Sequence, residues 1–319
     1  MSELDRFDPN LPENRTWLSV ADLLGNFAEA RLAVVGAPVG KFSITPGHCD
    51  QAPATVRAAL KRMSVYDIET EAELRDMRVF DAGDVNVRLG TLQEALPPIR
   101  NAVAAQLASR DLVILLGGNN AVTRPGVHGV DASLKNVGVM TLDAHFDLRD
   151  TDGGLNNGNP IQALLDDGVP GAHISQIGIA PFANTKKAHG KARDAGIAVR
   201  HLSECFELGF VNVVREELER LSHLCDRIYV DFDIDVIDRA QMPSAPGARA
   251  GGISARDFFA AAREIAANAK VRCVDLTEFD PSMDVNAIGA LTAARWFTEI
   301  LMGYQERGAA ASASAELSL

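Results

Sequence analysis

The chain has 319 residues, 47% hydrophobic and 23% charged, a composition that fits a soluble α/β protein with a sizeable core. Its formal charge of −12, from 31 basic and 43 acidic side chains with no basic run, argues against nucleic acid as a partner. No window approaches ~18 consecutive apolar residues, and the polar start Met1-Ser2-Glu3-Leu4-Asp5-Arg6 lacks the core of a secretory signal, so the expected location is cytoplasmic, with no membrane contact.

Residues 1–30 read as a polar, proline-containing lead-in with one short amphipathic segment at Trp17-Leu18-Ser19-Val20. The run 32–36 predicts the first buried strand, closed by the turn Gly36-Ala37-Pro38-Val39-Gly40. Pro53 suits the first turn of a helix through Leu60. A short strand and turn follow over 79–85, then helical spacing over 91–107, which Pro97-Pro98 is expected to bend or break. The strand 112–116 runs into Gly117-Gly118-Asn119-Asn120 and a helix beginning near Thr123 or Pro125. Strands are then predicted over 137–142, 174–179, 197–199, 227–232 and 271–276, and helices from Pro160 and over 186–195, 213–224, 255–267 and 290–301. This alternation implies a three-layer α/β/α arrangement with a mostly parallel central sheet. No linker divides 31–305, which is expected to be one domain; the low-complexity stretch 306–319 is expected to be disordered. Cys49, Cys205, Cys225 and Cys273 are scattered, predicting buried reduced thiols rather than a disulfide frame.

Two apolar runs end in alternating metal-capable side chains. The first leads into Asp143-Ala144-His145-Phe146-Asp147, the second into Asp231-Phe232-Asp233-Ile234-Asp235-Val236-Ile237-Asp238. Alternation along extended chain puts Asp143, His145 and Asp147 on one face, and neighbouring parallel strands would bring both clusters to one crevice at their carboxyl ends. Asp143, His145, Asp147, Asp233 and Asp235 offer hard oxygen ligands with one imidazole, a set that suits Mn2+ and, less specifically, Ni2+, Co2+ or Zn2+. So many carboxylates repel one another unless cations neutralise them.

Asp143-Ala-His-Phe-Asp147 resembles the DAHxD motif of the ureohydrolase family, which includes arginase, agmatinase, guanidinobutyrase and formimidoylglutamase. Asp233-Ile-Asp235-Val-Ile-Asp238 resembles its DxDxxD motif, Gly117-Gly118-Asn119-Asn120 stands where the family has GGDH, and Glu278-Phe-Asp280-Pro281 resembles its ExNP ending. The likeness covers about residues 32–302. It implies an arginase-like fold, a homo-oligomer (trimer or hexamer) and metal-dependent hydrolysis of a small amidine or guanidino substrate. It further implies two Mn2+ per subunit, with Asp143 and Asp233 bridging, His145 and Asp235 completing one metal and Asp147 the other. By the same resemblance Asp147 and Glu278 are the catalytic carboxylates, Glu278 holds the substrate amidinium, and Asp238 orients ligands from behind.

Three departures refine this expectation. Asn120 replaces the GGDH histidine, so its amide oxygen is the expected, weaker ligand, and occupancy falls between two ions and one. Asn157, a candidate substrate contact, stands where arginases and agmatinases have a histidine; formimidoylglutamases, with a small polar residue there, are more similar, and their DAHxDLR extension matches Phe146-Asp147-Leu148-Arg149. Arg149 is then a candidate partner for a substrate carboxylate, the alternative being a surface pair with Asp150 or Asp152. The segment 177–184 lacks the acidic residues with which arginases bind the α-amino group, leaving Asn184 as a substrate contact. The favoured reading is a formimidoylglutamase; the alternatives are an agmatinase-like or guanidino-acid hydrolase releasing urea, and a degenerate homologue that binds a ligand without turnover.

Overall fold

The computed structural model describes residues 18–87 and 91–316; the first residues of the lead-in, and the absence of a secretory core within them, lie outside the described part. In chain order the elements are β1 (Leu24–Gly25), β2 (Leu32–Ala37), α1 (Ala52–Ala59), a hairpin of β3 (Tyr66–Asp67) and β4 (Ala72–Glu73), β5 (Val79–Asp84), α2 (Leu92–Leu107) and β6 (Leu112–Gly117). There follow α3 (Thr123–Val130), β7 (Val137–Leu142), α4 (Pro160–Asp167), β8 (Ile174–Ile179), α5 (Lys186–Ala195), β9 (Ala198–His201), α6 (Leu202–Leu208), α7 (Phe210–Leu224), β10 (Arg227–Asp233), α8 (Ala255–Ala267), β11 (Val271–Thr277) and α9 (Ile288–Glu316).

Nine strands form one sheet in the order β1-β5-β2-β6-β11-β10-β7-β8-β9, with every pairing parallel. β2, β6, β7 and β8 are buried at every position, as strands covered on both faces must be. One face carries a core in which Val56, Leu218, Phe258, Trp296 and Phe297 of α1, α7, α8 and α9 meet the sheet. On the other, Ile99, Val103, Val127, Ile161 and Leu164 of α2, α3 and α4 do the same. All strands therefore end on one edge, where β6, β11, β10 and β7 stand side by side. Among the described residues no helix is long and apolar enough to cross a membrane, and all four cysteines are buried and unpaired.

Three elements differ from expectation. α2 is not broken by Pro97 and Pro98: a capping box between Thr91 and Glu94 holds its start. The carbonyls that the prolines leave free, those of Gln93 and Glu94, belong to exposed residues that water can satisfy. The lead-in supplies an edge strand, since β1 pairs with β5. The final helix does not stop at 301 but runs to Glu316, because alanine, which dominates 308–315, has the highest helix propensity.

Candidate metal centre and substrate cavity

β7 and β10 are hydrogen-bonded neighbours, with Asp231 opposite Thr141 and Phe232 opposite Leu142. Their carboxyl ends deliver Asp143 and Asp233 to the same crevice, and the short 3-10 turn Ile234–Val236 turns Asp235 back into it. Asp143, Asp233 and Asp235 are all at most 3% exposed. The turns are stitched by their own carboxylates. Asp143 Oδ1 accepts from His145 N at 2.6 Å, Asp233 Oδ1 from Asp235 N at 2.9 Å, and Asp235 Oδ1 from Ala144 N at 3.3 Å. His145 Nδ1 lies 2.9 Å from Asp235 Oδ2 and 3.4 Å from Asp143 Oδ1. One ligand atom from each of these three residues falls within a 4.8 Å group. Asp147 completes the crevice from a left-handed backbone conformation with φ 52°, and Glu278 faces it from the end of β11 with φ 61°. Two non-glycine residues in this sparsely populated region at one crevice indicate backbone shaped by the site.

The electrostatics are those of a crowded acid cluster in which the one cationic side chain, among the described residues, is His145. Burial, then the charge of Asp235, pushes Asp143 up to about 7. Burial, then Asp143, raises Asp147 well above the ordinary carboxylate range, and burial, then Asp235, does so for Asp233. Glu278 is raised by burial to about 7. Asp235 is held low in spite of its burial by the charge of His145, which Asp235 in turn pushes up to about 12. Buried carboxylates with one imidazole are a hard donor set, and their mutual repulsion is what a divalent cation relieves; the residues present therefore fit Mn2+ or a similar ion.

Asn120 is oriented differently from a ligand. Its Nδ2 donates to Asp147 Oδ2 at 2.6 Å, and its Oδ1 accepts from Thr123 Oγ1 at 2.8 Å and Thr277 Oγ1 at 3.3 Å. The amide oxygen thus faces buried hydroxyls, and the nitrogen, which cannot coordinate, faces the carboxylate. Its backbone N–H donates to Glu278 Oε1 at 2.8 Å, and Asn157 Nδ2 donates to the same oxygen at 2.9 Å. Asn157 accepts in turn from Ile44 N at 2.8 Å, so this residue, expected at the substrate, fixes Glu278 to the loop after β2.

A cavity of about 590 Å3 opens above, lined by His145, Asp147, Asp233, Asp235 and Glu278 below and by Arg149, Asn157, Lys187 and Arg249 around the mouth. Arg149 is exposed and its side chain packs across Gly158, where an added Cβ would lie 3.0 Å from Arg149 Cδ. Among the described residues it forms no ion pair with Asp150, which pairs with Lys187 and, at 2.8 Å, with Lys191, or with Asp152, whose Oδ1 accepts from Gly153 N. Asn184 lines the cavity, but both ends of its amide are occupied: Oδ1 accepts from Phe146 N and Nδ2 donates to Ala144 O, each at 2.9 Å. It braces the 143–147 segment instead of presenting a free group to substrate. Asp238 accepts from Ala240 N at 2.8 Å and Gly251 N at 2.5 Å. It ties the 238–251 loop, which carries Gly247 against Asp235, and among the described residues it forms no hydrogen bond to a crevice carboxylate.

Several residues of the site carried no clear sequence signal. Arg249 and Lys187 stand in loops and on α5 with nothing in their spacing to mark them. His189 reads as an ordinary helix residue, yet its ring stacks on Phe146 at 5.8 Å. Beneath the crevice, Asp231 and Asp275 face one another in register on β10 and β11, and Tyr229 donates to Asp275 Oδ2. Burial, then the charge of Asp275, raises Asp231 well above the ordinary range. Carboxylates inside the two apolar strands were the available signal.

Residues 30–303 match the Arginase family. A formimidoylglutamase of Klebsiella pneumoniae subsp. pneumoniae is 32% identical over 248 residues, 76% of this chain and 75% of that protein. The crystal structure of Bacillus subtilis formimidoylglutamase is 26% identical, with a TM-score of 0.87 over 94% of this chain and 96% of that one. A Trypanosoma cruzi formiminoglutamase structure with Mn2+, 22% identical, shares the fold at a TM-score of 0.83 over 91% and 99%.

Proposed function

The chain belongs to the arginase family, and from that premise we propose that it cleaves N-formimino-L-glutamate with water, giving glutamate and formamide. It is a hydrolase of linear amidine C–N bonds. The observation that carries the substrate choice is the division of the cavity: acidic groups line its floor, and Arg149, without a carboxylate partner among the described residues, stands at its mouth. An amidine at one end of the substrate and carboxylates at the other match that polarity.

Asp143, His145, Asp147, Asp233 and Asp235 are the residues that would hold Mn2+, the ion present in the Trypanosoma cruzi relative. Bound there, divalent cations supply Lewis acidity and the charge that makes hydroxide available near neutral pH. Glu278 accepts from the substrate amidinium, a charge-assisted contact that aligns the carbon to be attacked. Asn120 N and Asn157 Nδ2 keep its Oε1 in place, so Oε2 is the oxygen left for substrate. Arg149 and Arg249 anchor the acidic end at the mouth. The test is a panel of N-formimino-L-glutamate, agmatine, 4-guanidinobutyrate and L-arginine with Mn2+ supplied, following formamide and urea. Formamide from the first compound alone is expected; urea from any of the others at comparable kcat/KM overturns the assignment.

A further inference from the structure

We propose that Thr123 and Thr277 are positioning residues that lock the Asn120 amide in one orientation from a buried polar layer beneath the crevice. Its consequence for the cation rests on the function proposed above, while the orientation itself does not. The layer lies one step down the strands from Asp233: Asp231 and Asp275 are register partners, and Thr277 stands beside Asp233. Asp231, Asp275, Thr123 and Thr277 are each 0% exposed.

A hydroxyl has one proton, so the donors can be counted. Thr123 Oγ1 lies 2.8 Å from Asn120 Oδ1 and 2.9 Å from Asp275 Oδ2. Asp275 Oδ2 also accepts from the Tyr229 hydroxyl, so the Thr123 proton is divided between Asn120, at the shorter distance, and an oxygen that already has a donor. Thr277 Oγ1 adds a second donor at 3.3 Å and is itself 3.3 Å from Asp231 Oδ1. Gly126 of α3 makes room for the phenol, since a Cβ there would lie 2.3 Å from Tyr229 Oη. Turned by 180°, the amide would set its oxygen 2.6 Å from Asp147 Oδ2, acceptor against acceptor whenever that carboxylate is ionised, as a bound cation requires. The two threonines at the oxygen and Asp147 at the nitrogen thus hold Asn120 from both ends of its amide.

The full-length protein, labelled with 15N-asparagine, reports how firmly the amide is held in these hydrogen bonds. The Asn120 side-chain amide resonance is identified by its loss in Asn120→Asp. Its protons are expected to exchange about 100-fold more slowly than those of the exposed Asn101. Thr123→Val should remove at least about tenfold of that protection, Tyr229→Phe should act in the same direction from further away, and Thr123→Ser should restore it. Mn2+ affinity should fall about 10- to 100-fold in Thr123→Val and return in Thr123→Ser. Unchanged protection in both Thr123→Val and Tyr229→Phe, or no rescue by serine, overturns the proposal. Wild-type protein that retains no Mn2+ would refute the metal-dependent function while the exchange data still decide whether the threonines hold the amide. Tyr229→Phe keeps the test available should Thr123→Val not fold.

Discussion

Arg149 and Glu278 divide the recognition of substrate, and each has a separable kinetic signature. Arg149 meets only the remote end, so Arg149→Ala should raise KM for N-formimino-L-glutamate about 10- to 100-fold with kcat largely kept, the mark of lost uniform binding. Steady-state kinetics with unchanged KM would remove Arg149 from the site. Glu278 meets the reacting group. Glu278→Gln keeps the size and removes the charge, and should lower kcat/KM by roughly 30- to 1000-fold, as for truncation of a buried charged pair. Mn2+ content should stay at the wild-type level, and a parallel loss of metal would mean that Glu278 supports the cation instead. At this scale the sequence conveys residue type but not orientation. Asn120 is recognisable as the replacement for a histidine, yet whether its oxygen or nitrogen faces Asp147 depends on Asp147 itself and on Thr123 and Thr277, the last of them 157 positions away. The backbone partners of Asn184, at 144 and 146, are equally invisible in the spacing of the motif.

The loop after β10 makes an element-scale prediction. An added Cβ at Gly247 would lie 2.0 Å from Asp235 Oδ2 and 3.1 Å from His145 Cε1, so Gly247→Ala must displace a crevice carboxylate. Gly247 borders the cavity rather than the core. The metal-free melting temperature should therefore stay within a few degrees while Mn2+ affinity drops at least about tenfold. Wild-type affinity in that variant would show that the loop yields and that Asp238 need not hold it. The elements were legible where one local rule governs them. Continuous apolar runs mark β6, β7 and β10 as buried parallel strands, and the carboxylates closing two of them place the crevice at their ends. Elements set by tertiary contact were not legible. β1 is two residues long and exists through β5, and α6 follows β9 without an intervening turn. The prolines in α2 mislead because the cost of a lost backbone hydrogen bond depends on whether water reaches the freed carbonyl.

Taken across the whole molecule, the crevice sets the pH dependence of stability. Asp143 and Glu278 titrate at about 7, and Asp147 and Asp233 above the ordinary range, because folding buries them close together. A carboxylate whose folded pKa is raised above its unfolded value favours the folded state most below the unfolded value, near 4. That contribution is lost as pH rises through the folded value. His145 acts in the same sense: raised by Asp235 to about 12, it contributes fully below about 6.5 and progressively less above. Asp235, held low, contributes at every pH above its unfolded value and adds no slope between pH 5 and 8. The metal-free site is therefore increasingly unfavourable from pH 5 to 8, as like charges accumulate in it. A divalent cation competes with those protons for the same oxygens, so its affinity rises over the same interval, and with it the stabilisation conferred by binding only the folded chain. Melting temperatures with saturating Mn2+ and with chelator, compared at half-unit steps, should separate progressively between pH 5 and 8. Charges elsewhere on the acidic surface act in both arms and cancel in the difference. A constant gap would mean that the carboxylates are already ionised without metal, and a narrowing one that the cation sits somewhere other than this crevice.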